Sequence, residues 1–305
     1  MEKLLKEILE NNKKYCDNGE VAHYIPALAS QDKRSLGISL VDLKSNKIFN
    51  QGDTDKFFTL QSISKIFTLI LALQDKGAEY VFSKVGMEPT GDPFNSIIKL
   101  ETINPSKPLN PMINAGAIAI SSMIKGESNQ HKIERVIDFF EPILGRRLSV
   151  NQKVFESERN TGHRNRATAY FLKDVGILSG EVEEILDFYF MHCSLDVTCK
   201  DIAYLGGFLA NQGKTINTEE QLVSQSITQI AKSFMVTCGM YNSSGEFAIK
   251  VGIPAKSGVG GGVMAVSPNH YGIGIWGPAL DEKGNSIAGV KMLEDLSTKL
   301  DLSIF

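Results

Sequence analysis

Ser62 to Gly77 reads SISKIFTLILALQDKG, and this stretch sets the architecture of the chain. Ile63, Ile66, Phe67, Leu69, Ile70, Leu71 and Leu73 would point to nearly every face of a helix, so the segment predicts a helix buried on all sides and stopped by Gly77. Such a helix needs other helices around it. Downstream, the apolar spacing predicts Pro111–Lys125, Lys132–Phe140, Ala167–Val175, Glu181–Met191 and Lys200–Asn211, separated by loops rich in Gly, Pro, Asn and Ser. Upstream, LGISLVDL (Leu36–Leu43) and KIFN (Lys47–Asn50) flank the turn-forming Lys44, Ser45 and Asn46 and predict a β-hairpin. An amphipathic helix, MEKLLKEILENNKKYC, precedes it. After Thr237, FAIKVGIPAK (Phe247–Lys256), GGVMAVSP (Gly261–Pro268) and YGIGIWG (Tyr271–Gly277) read as three strands, followed by a helix from about Ile287 to Leu300. This order predicts an α+β fold in which an antiparallel sheet is flanked by N- and C-terminal helices and interrupted by a large helical insertion. With no repeat or low-complexity linker, the expectation is a single catalytic domain, its sheet part drawn from about 1–58 and 235–305 and its helical part from about 59–234.

Composition narrows the partners. Over 305 residues, 32 Lys and Arg oppose 35 Asp and Glu without a single-sign block, which leaves no electrostatic footprint for nucleic acid or an anionic membrane. The longest apolar run, around Ile66–Leu73, falls well short of the roughly 20 residues that span a bilayer. The amino terminus lacks the features of a secretory signal, and Cys16, Cys193, Cys199 and Cys238 are scattered without a Cys-x-x-Cys pair. The expected setting is the cytoplasm, with reduced thiols and a small-molecule substrate.

Ser-x-x-Lys places a hydroxyl and an amine on one helix face, where an unprotonated lysine can take the serine proton. It occurs four times, at Ser30/Lys33, Ser62/Lys65, Ser96/Lys99 and Ser122/Lys125. A solvated lysine keeps a pKa near its reference of about 10.4 and cannot act as a base at neutral pH. Ser30 lies in a polar stretch, Ser122 falls late in its helix, and Ser96 lacks an apolar setting. Only Lys65 sits in the first turn of an all-round apolar helix, where desolvation and the helix dipole both lower its pKa. Standing alone, the pattern reads more often as a helix cap and a surface lysine.

KSGVGGG at Lys256–Gly262 is the only Lys-[Ser/Thr]-Gly of the chain. Ser-x-x-Lys on a buried helix followed far downstream by Lys-Ser-Gly is the motif order of penicillin-recognising serine enzymes. Glycines there let a strand edge approach a substrate and present a backbone N–H, that of Val259, to a reacting carbonyl. Other motifs fail on context. Gly272, Gly274 and Gly277 fit G-x-G-x-x-G, but a strand and Pro278 surround them, and Gly213-Lys214-Thr215 lacks the earlier glycine of a P-loop. The histidines form no H-E-x-x-H, and no G-x-S-x-G accompanies them.

Together, YIPALA (Tyr24–Ala29), LQSISKIF (Leu60–Phe67), NPMINAGAI (Asn110–Ile118), SERNTGHRNRATA (Ser157–Ala169) and KSGVGGG resemble the serine-dependent glutaminases, in order and spacing over nearly the whole chain. The resemblance implies a fold like that of serine β-lactamases and penicillin-binding proteins, hydrolysis of L-glutamine to L-glutamate and ammonia, and a homo-oligomer, dimer or tetramer. It implies Ser62 as nucleophile and Lys65 as base, with Tyr24, Asn114, Glu158, Asn165, Tyr189, Tyr241 and Val259 around the glutamine. Zwitterionic glutamine needs an anion for its ammonium, which Glu158 supplies, and neutral donors for its carboxylate, which Asn114 and Asn165 supply. Either Tyr241 or Tyr189 is left to protonate the departing ammonia. No metal or organic cofactor is called for. A β-lactamase-type enzyme lacks support because no Ser-Asp-Asn element lies between the two motifs. A catalytically silent glutamine binder on the same fold is the rival of a different class.

Overall fold

The computed structural model describes residues 1–96 and 107–305. Lys99 of the Ser96/Lys99 pair lies outside the described residues. In chain order the elements are α1 (Glu2–Asn12), β1 (Gly37–Asp42), β2 (Lys47–Gly52), β3 (Phe58–Thr59), α2 (Ser64–Lys84), α3 (Asn114–Met123), α4 (Asn129–Leu144) and α5 (Gln152–Thr161). There follow α6 (His163–Asp174), α7 (Val182–Cys193), β4 (Asp196–Val197), α8 (Cys199–Ala210), α9 (Gln225–Cys238) and α10 (Ser244–Lys250). The chain closes with β5 (Ala255–Ser257), β6 (Gly262–Ser267), β7 (Tyr271–Trp276) and α11 (Ile287–Leu300). Five strands make one antiparallel sheet in the order β2-β1-β7-β6-β5, so strands from both ends of the sequence pair, Ile38 opposite Ile275 and Leu40 opposite Ile273. This is the α+β architecture expected from the element order.

Strand alternation decides what covers each face. Ile38, Leu40, Ile273 and Ile275 turn toward α1 and α11, burying Leu5, Ile8, Met292 and Leu296 completely. On the other face, Gly272 and Gly274 let α8 lie directly on β7: a Cβ at 272 would stand 2.0 Å from the Gly207 nitrogen, and one at 274 only 2.2 Å from the Cys199 carbonyl. Those glycines, which mimic part of a dinucleotide motif, therefore serve helix-on-strand contact.

Every residue from Gln61 to Leu73 is buried, as the apolar pattern predicts. Burying one such aliphatic side chain stabilises the fold by roughly 1.5–3 kcal/mol, and α2 carries a run of them at the centre of the largest core cluster. Gly77 does leave helical geometry, at φ +79°, yet the chain re-enters helix and continues to Lys84. The segment expected as a strand over Phe247–Lys256 is mostly not one. Ser244–Lys250 is helical, and only Ala255–Ser257 pairs with the sheet. A short apolar run does not distinguish helix from strand, and here the shielding of Phe247 against the sheet's α11 side is met by a helix.

Candidate active site

Ser62 does not open the long helix itself. It occupies a 3₁₀ turn, Gln61–Ile63, immediately ahead of α2. Gln61 holds φ +50°, a left-handed conformation that costs a non-glycine residue of order 1–3 kcal/mol and persists only where neighbours fix it. The neighbours are identifiable. The Ser64 hydroxyl donates to the Gln61 carbonyl at 2.7 Å, and the Gln61 side chain donates to Glu158 Oε1 at 2.8 Å. β3 pairs with β4 just before the turn, and the Leu60 N–H donates to the Leu195 carbonyl, anchoring its entry.

Lys65, three residues on, is 1% exposed. Its Nζ donates to the Met112 carbonyl at 3.1 Å and to Asn114 Oδ1 at 2.7 Å, and the Asn114 amide donates in turn to Asn165 Oδ1 at 3.0 Å. Burial lowers the Lys65 pKa to about 8, against the opposing charges of Cys193 and Glu158. The other described candidates have no such setting. Lys33 pairs with Glu20 at the surface, and Lys125 is exposed beyond the end of α3.

A cleft beside Ser62 is lined by Tyr24, Asn114, Glu158, Asn165, Tyr189 and Val259. They come from six separate places: the α1–β1 loop, the first turn of α3, α5, α6, α7 and the turn between β5 and β6. Glu158 is 8% exposed, and burial raises its carboxyl to about 7 in spite of the Gln61 bond and the Lys65 charge. Burial likewise pushes Tyr189 well above the usual phenol range. Tyr24 reaches in from the rim; 57% of its surface is open, while protein crowds its hydroxyl closely enough to push its pKa up.

Tyr241 lies beside this cleft, lining an adjacent cavity with Phe94 and packing against the apolar cluster that contains Val259. Like Gln61 it has φ +50°, in a 3₁₀ turn after α9, and its ring packs on Phe94 at 4.8 Å. Among the described residues, the Tyr241 and Ser257 hydroxyls are both buried without a hydrogen-bond partner. Ser62 and Ser257 come near enough to the phenol to favour its ionised form, although burial dominates and drives its pKa upward.

Lys256 was legible only as part of KSGVGGG, and its own position is the largest omission from the expected site. It is fully buried, its Nζ donating to the carbonyls of Gly239 at 3.1 Å and Ser257 at 2.6 Å while lying 4.6 Å over the Tyr241 ring. Gln61 and Cys193 also line the cleft unforeseen, and burial pushes the Cys193 thiol up to about 12. Gln61 is adjacent to the Ser-x-x-Lys step, whereas nothing local marks Cys193. The glycines of the same motif have a spatial reason: a Cβ at 258 would fall 2.9 Å from the Leu60 carbonyl, and one at 260 only 2.8 Å from that of Thr59. The β5–β6 hairpin is thereby pressed onto the Ser62 turn. Among the described residues no group of three His, Cys, Asp or Glu could hold a metal, and no helix is long and apolar enough to cross a membrane.

A five-stranded antiparallel sheet with terminal helices on one face, and a buried Ser-x-x-Lys turn held against a Lys-Ser-Gly strand, define the serine β-lactamase-like class of α+β proteins. Residues 19–305 match the family model described as Glutaminase. Over 306 aligned positions the chain is 56% identical to a protein named Glutaminase from Alkaliphilus metalliredigens, covering 100% of both. It superposes on a crystal structure of a Bacillus glutaminase with TM-score 0.93 at 42% identity, covering 100% of this chain and 99% of the other. A second solved structure, the covalent complex of a Bacillus subtilis glutaminase with 5-oxo-L-norleucine, formed by reaction with 6-diazo-5-oxo-L-norleucine, matches with TM-score 0.89 at 39% identity, covering 100% and 99%. The chain belongs to the glutaminase family, and it is a hydrolase of that family.

Proposed function

We propose that the protein hydrolyses L-glutamine to L-glutamate and ammonia through a Ser62 acyl-enzyme, with Lys65 as general base. The observation that carries this reading is Lys65, a wholly buried amine with its pKa lowered to about 8, three residues from a serine that opens onto the cleft. A neutral amine has two N–H groups and one lone pair. Met112 and Asn114 accept both N–H groups, which leaves the lone pair for the Ser62 proton. Ser62 Oγ then attacks the side-chain amide carbon, and the backbone N–H groups of Ser62 and Val259 receive the negative oxygen.

Tyr241, its hydroxyl near those of Ser62 and Ser257 and without a hydrogen-bond partner among the described residues, is suited to pass a proton to the amide nitrogen as the C–N bond breaks, with Tyr189 as the alternative donor. Ammonia leaves, and water cleaves the γ-glutamyl ester, its proton returning through the same groups. At the other end of the substrate, Glu158 meets the α-ammonium, which supplies the countercharge its buried carboxylate needs, while Asn114 and Asn165 donate to the α-carboxylate and Tyr24 closes the rim. The relative trapped covalently by 6-diazo-5-oxo-L-norleucine supports a nucleophilic mechanism on this fold. The same proposal has the chain acting as one catalytic domain in a cytoplasmic homodimer or homotetramer, which light scattering would test.

The decisive assay is ammonia release from L-glutamine by wild type, Ser62→Ala and Lys65→Ala, with asparagine as control. Peptide mapping after treatment with 6-diazo-5-oxo-L-norleucine accompanies it. Glutamine-selective turnover lost in both variants, with the adduct on Ser62, is expected. An adduct on another residue would remove Ser62 as the nucleophile.

A further inference from the structure

A buried histidine that the mechanism above leaves unused lies between the Ser62 turn and α3. His192, on α7, has no exposed surface; its Nδ1 is 2.8 Å from Ser64 Oγ and its Nε2 is 3.1 Å from Ser121 Oγ. Both serine hydroxyls also face a carbonyl, Ser64 that of Gln61 at 2.7 Å and Ser121 that of Ala117, and a neutral imidazole has a single N–H to give. The shorter ring contact, to Ser64, is assigned to Nδ1–H, which leaves Nε2 as the acceptor. Nε2 shares the Ser121 hydroxyl proton with the Ala117 carbonyl, 2.8 Å from that hydroxyl. The ring is clamped edge-on by Tyr189 at 5.4 Å and by Phe188 at 5.3 Å. Burial, aided by the Lys65 charge, lowers the His192 pKa to about 3, so the imidazole keeps its one-donor, one-acceptor form.

The far end of this chain is what matters for chemistry. The Gln61 carbonyl and the Ser62 N–H belong to one planar peptide group, so fixing the first aims the second. A hydrogen bond accepted by the carbonyl also polarises the amide and strengthens its N–H as a donor. Gln61 is held at φ +50°, a conformation that relaxes unless its surroundings enforce it. We propose that His192 is a positioning residue for the oxyanion site: through Ser64 it locks the Gln61–Ser62 peptide so that the Ser62 N–H faces the reacting carbonyl. Its other nitrogen ties the same turn to α3, whose first residue, Asn114, holds Lys65. The inference rests on the reading of Ser62 as nucleophile.

The test compares wild type with His192→Leu, His192→Asn, Ser64→Ala and the His192→Leu/Ser64→Ala double variant. Losing an oxyanion donor outright costs about 10²- to 10³-fold, and loosening one through its neighbour should cost about tenfold in kcat. His192→Leu and Ser64→Ala should each show that loss with KM for glutamine nearly unchanged. The double variant should lose no more than the worse single, because both break one chain. Asparagine places an amide nitrogen where Nδ1 stands, so His192→Asn should recover most of the rate. Labelling of Ser62 by 6-diazo-5-oxo-L-norleucine should slow in parallel while affinity for glutamate holds. Wild-type kcat in His192→Leu and Ser64→Ala, additive losses in the double variant, or KM rising as kcat falls would each overturn the proposal. Should His192→Leu fail to fold, Ser64→Ala and His192→Asn decide it alone. Absence of any Ser62 adduct in wild type would instead sink the nucleophile reading, whereas an adduct with unaffected variants sinks only this inference.

Discussion

The helix that carries Lys65 and the strand that carries Lys256 present the same side chain, equally buried, from opposite ends of the sequence. Each amine donates to two oxygens, and for each, burial is the leading cause of a lowered pKa. What differs is the company. Cys193 opposes the lowering at both amines, but Glu158 raises the Lys65 pKa alone, leaving it at about 8, while the Lys65 charge drives Lys256 further down. Lys65 is held by side chain and backbone at the entrance to α3, three residues from Ser62. Lys256 lies against the ring of Tyr241. Desolvation alone does not make a lysine a base; the charges and nucleophile around it decide whether its proton moves or its position holds something else in place.

The largest expected effect tests that division directly. General-base catalysis contributes about 10²- to 10⁴-fold, so Lys65→Ala should lower kcat by up to about 10⁴-fold, with thermal melting to show that the protein remains folded. Lys256→Met preserves the side chain's bulk and should cost less, about 10²-fold in kcat, by loosening Tyr241. Tyr241→Phe should match it, and the pair should not add, since both act at one phenol. The rise of kcat/KM with pH should survive Lys256→Met. Its disappearance would make Lys256 the base and invert the comparison.

These two regions were unequally legible. The Ser62 helix could be read because its apolar residues cover all faces over a long run, a pattern only a central helix satisfies. The β1–β2 hairpin could be read from alternation and its turn residues. The Lys256 region is half legible: its motif stands out, but the apolar run predicts strand over Phe247–Lys250 where the structure has helix. Helices Gln152–Thr161 and Gln225–Cys238 fall outside the elements the apolar spacing predicts, although Asn151 and Ser224 cap them through side-chain bonds to Val154 and Ile227. Glu158, Asn165 and Tyr189 came from the family resemblance alone, because convergence of separate helices on one cleft leaves no local pattern. His192 carries no sequence signal for the same reason, being a lone histidine on a largely apolar helix.

Glu158 provides a finer probe, since its charge raises the Lys65 pKa and is absent among the influences on Lys256. Two ionisations should shape kcat/KM in the free enzyme: Glu158 must lose its proton, near 7, to bind the α-ammonium, and Lys65 must lose its own, near 8, to act as base. Both favour higher pH, so kcat/KM should rise steeply below 7 and more gently from 7 to 8, with apparent values that belong to the coupled pair. Glu158→Gln should raise KM by about 10- to 100-fold, the worth of a charged hydrogen bond. It should also abolish the lower limb and move the remaining one to lower pH. An unmoved upper limb would mean that Lys65 does not feel Glu158.

The smallest effect concerns how closely the Lys256 strand is pressed against the Ser62 turn. At Gly258 a Cβ would lie 2.9 Å from the Leu60 carbonyl, a backbone atom that cannot swing aside, so alanine must push the hairpin away by tenths of an ångström. Overpacking of this kind costs about 1–3 kcal/mol. It would also draw the Val259 N–H off the reacting carbonyl, so Gly258→Ala should lower kcat several-fold, within the range for a weakened oxyanion donor, and lower Tm. Gly77→Ala is the matched control. At φ +79° with none of the described residues within 4 Å of an added Cβ, alanine there meets backbone strain without displacing a described neighbour. It should lower Tm and leave kcat intact. If Gly258→Ala behaved the same way, losing stability alone, the close approach would be a matter of packing, and Val259 would have no part in holding the oxyanion.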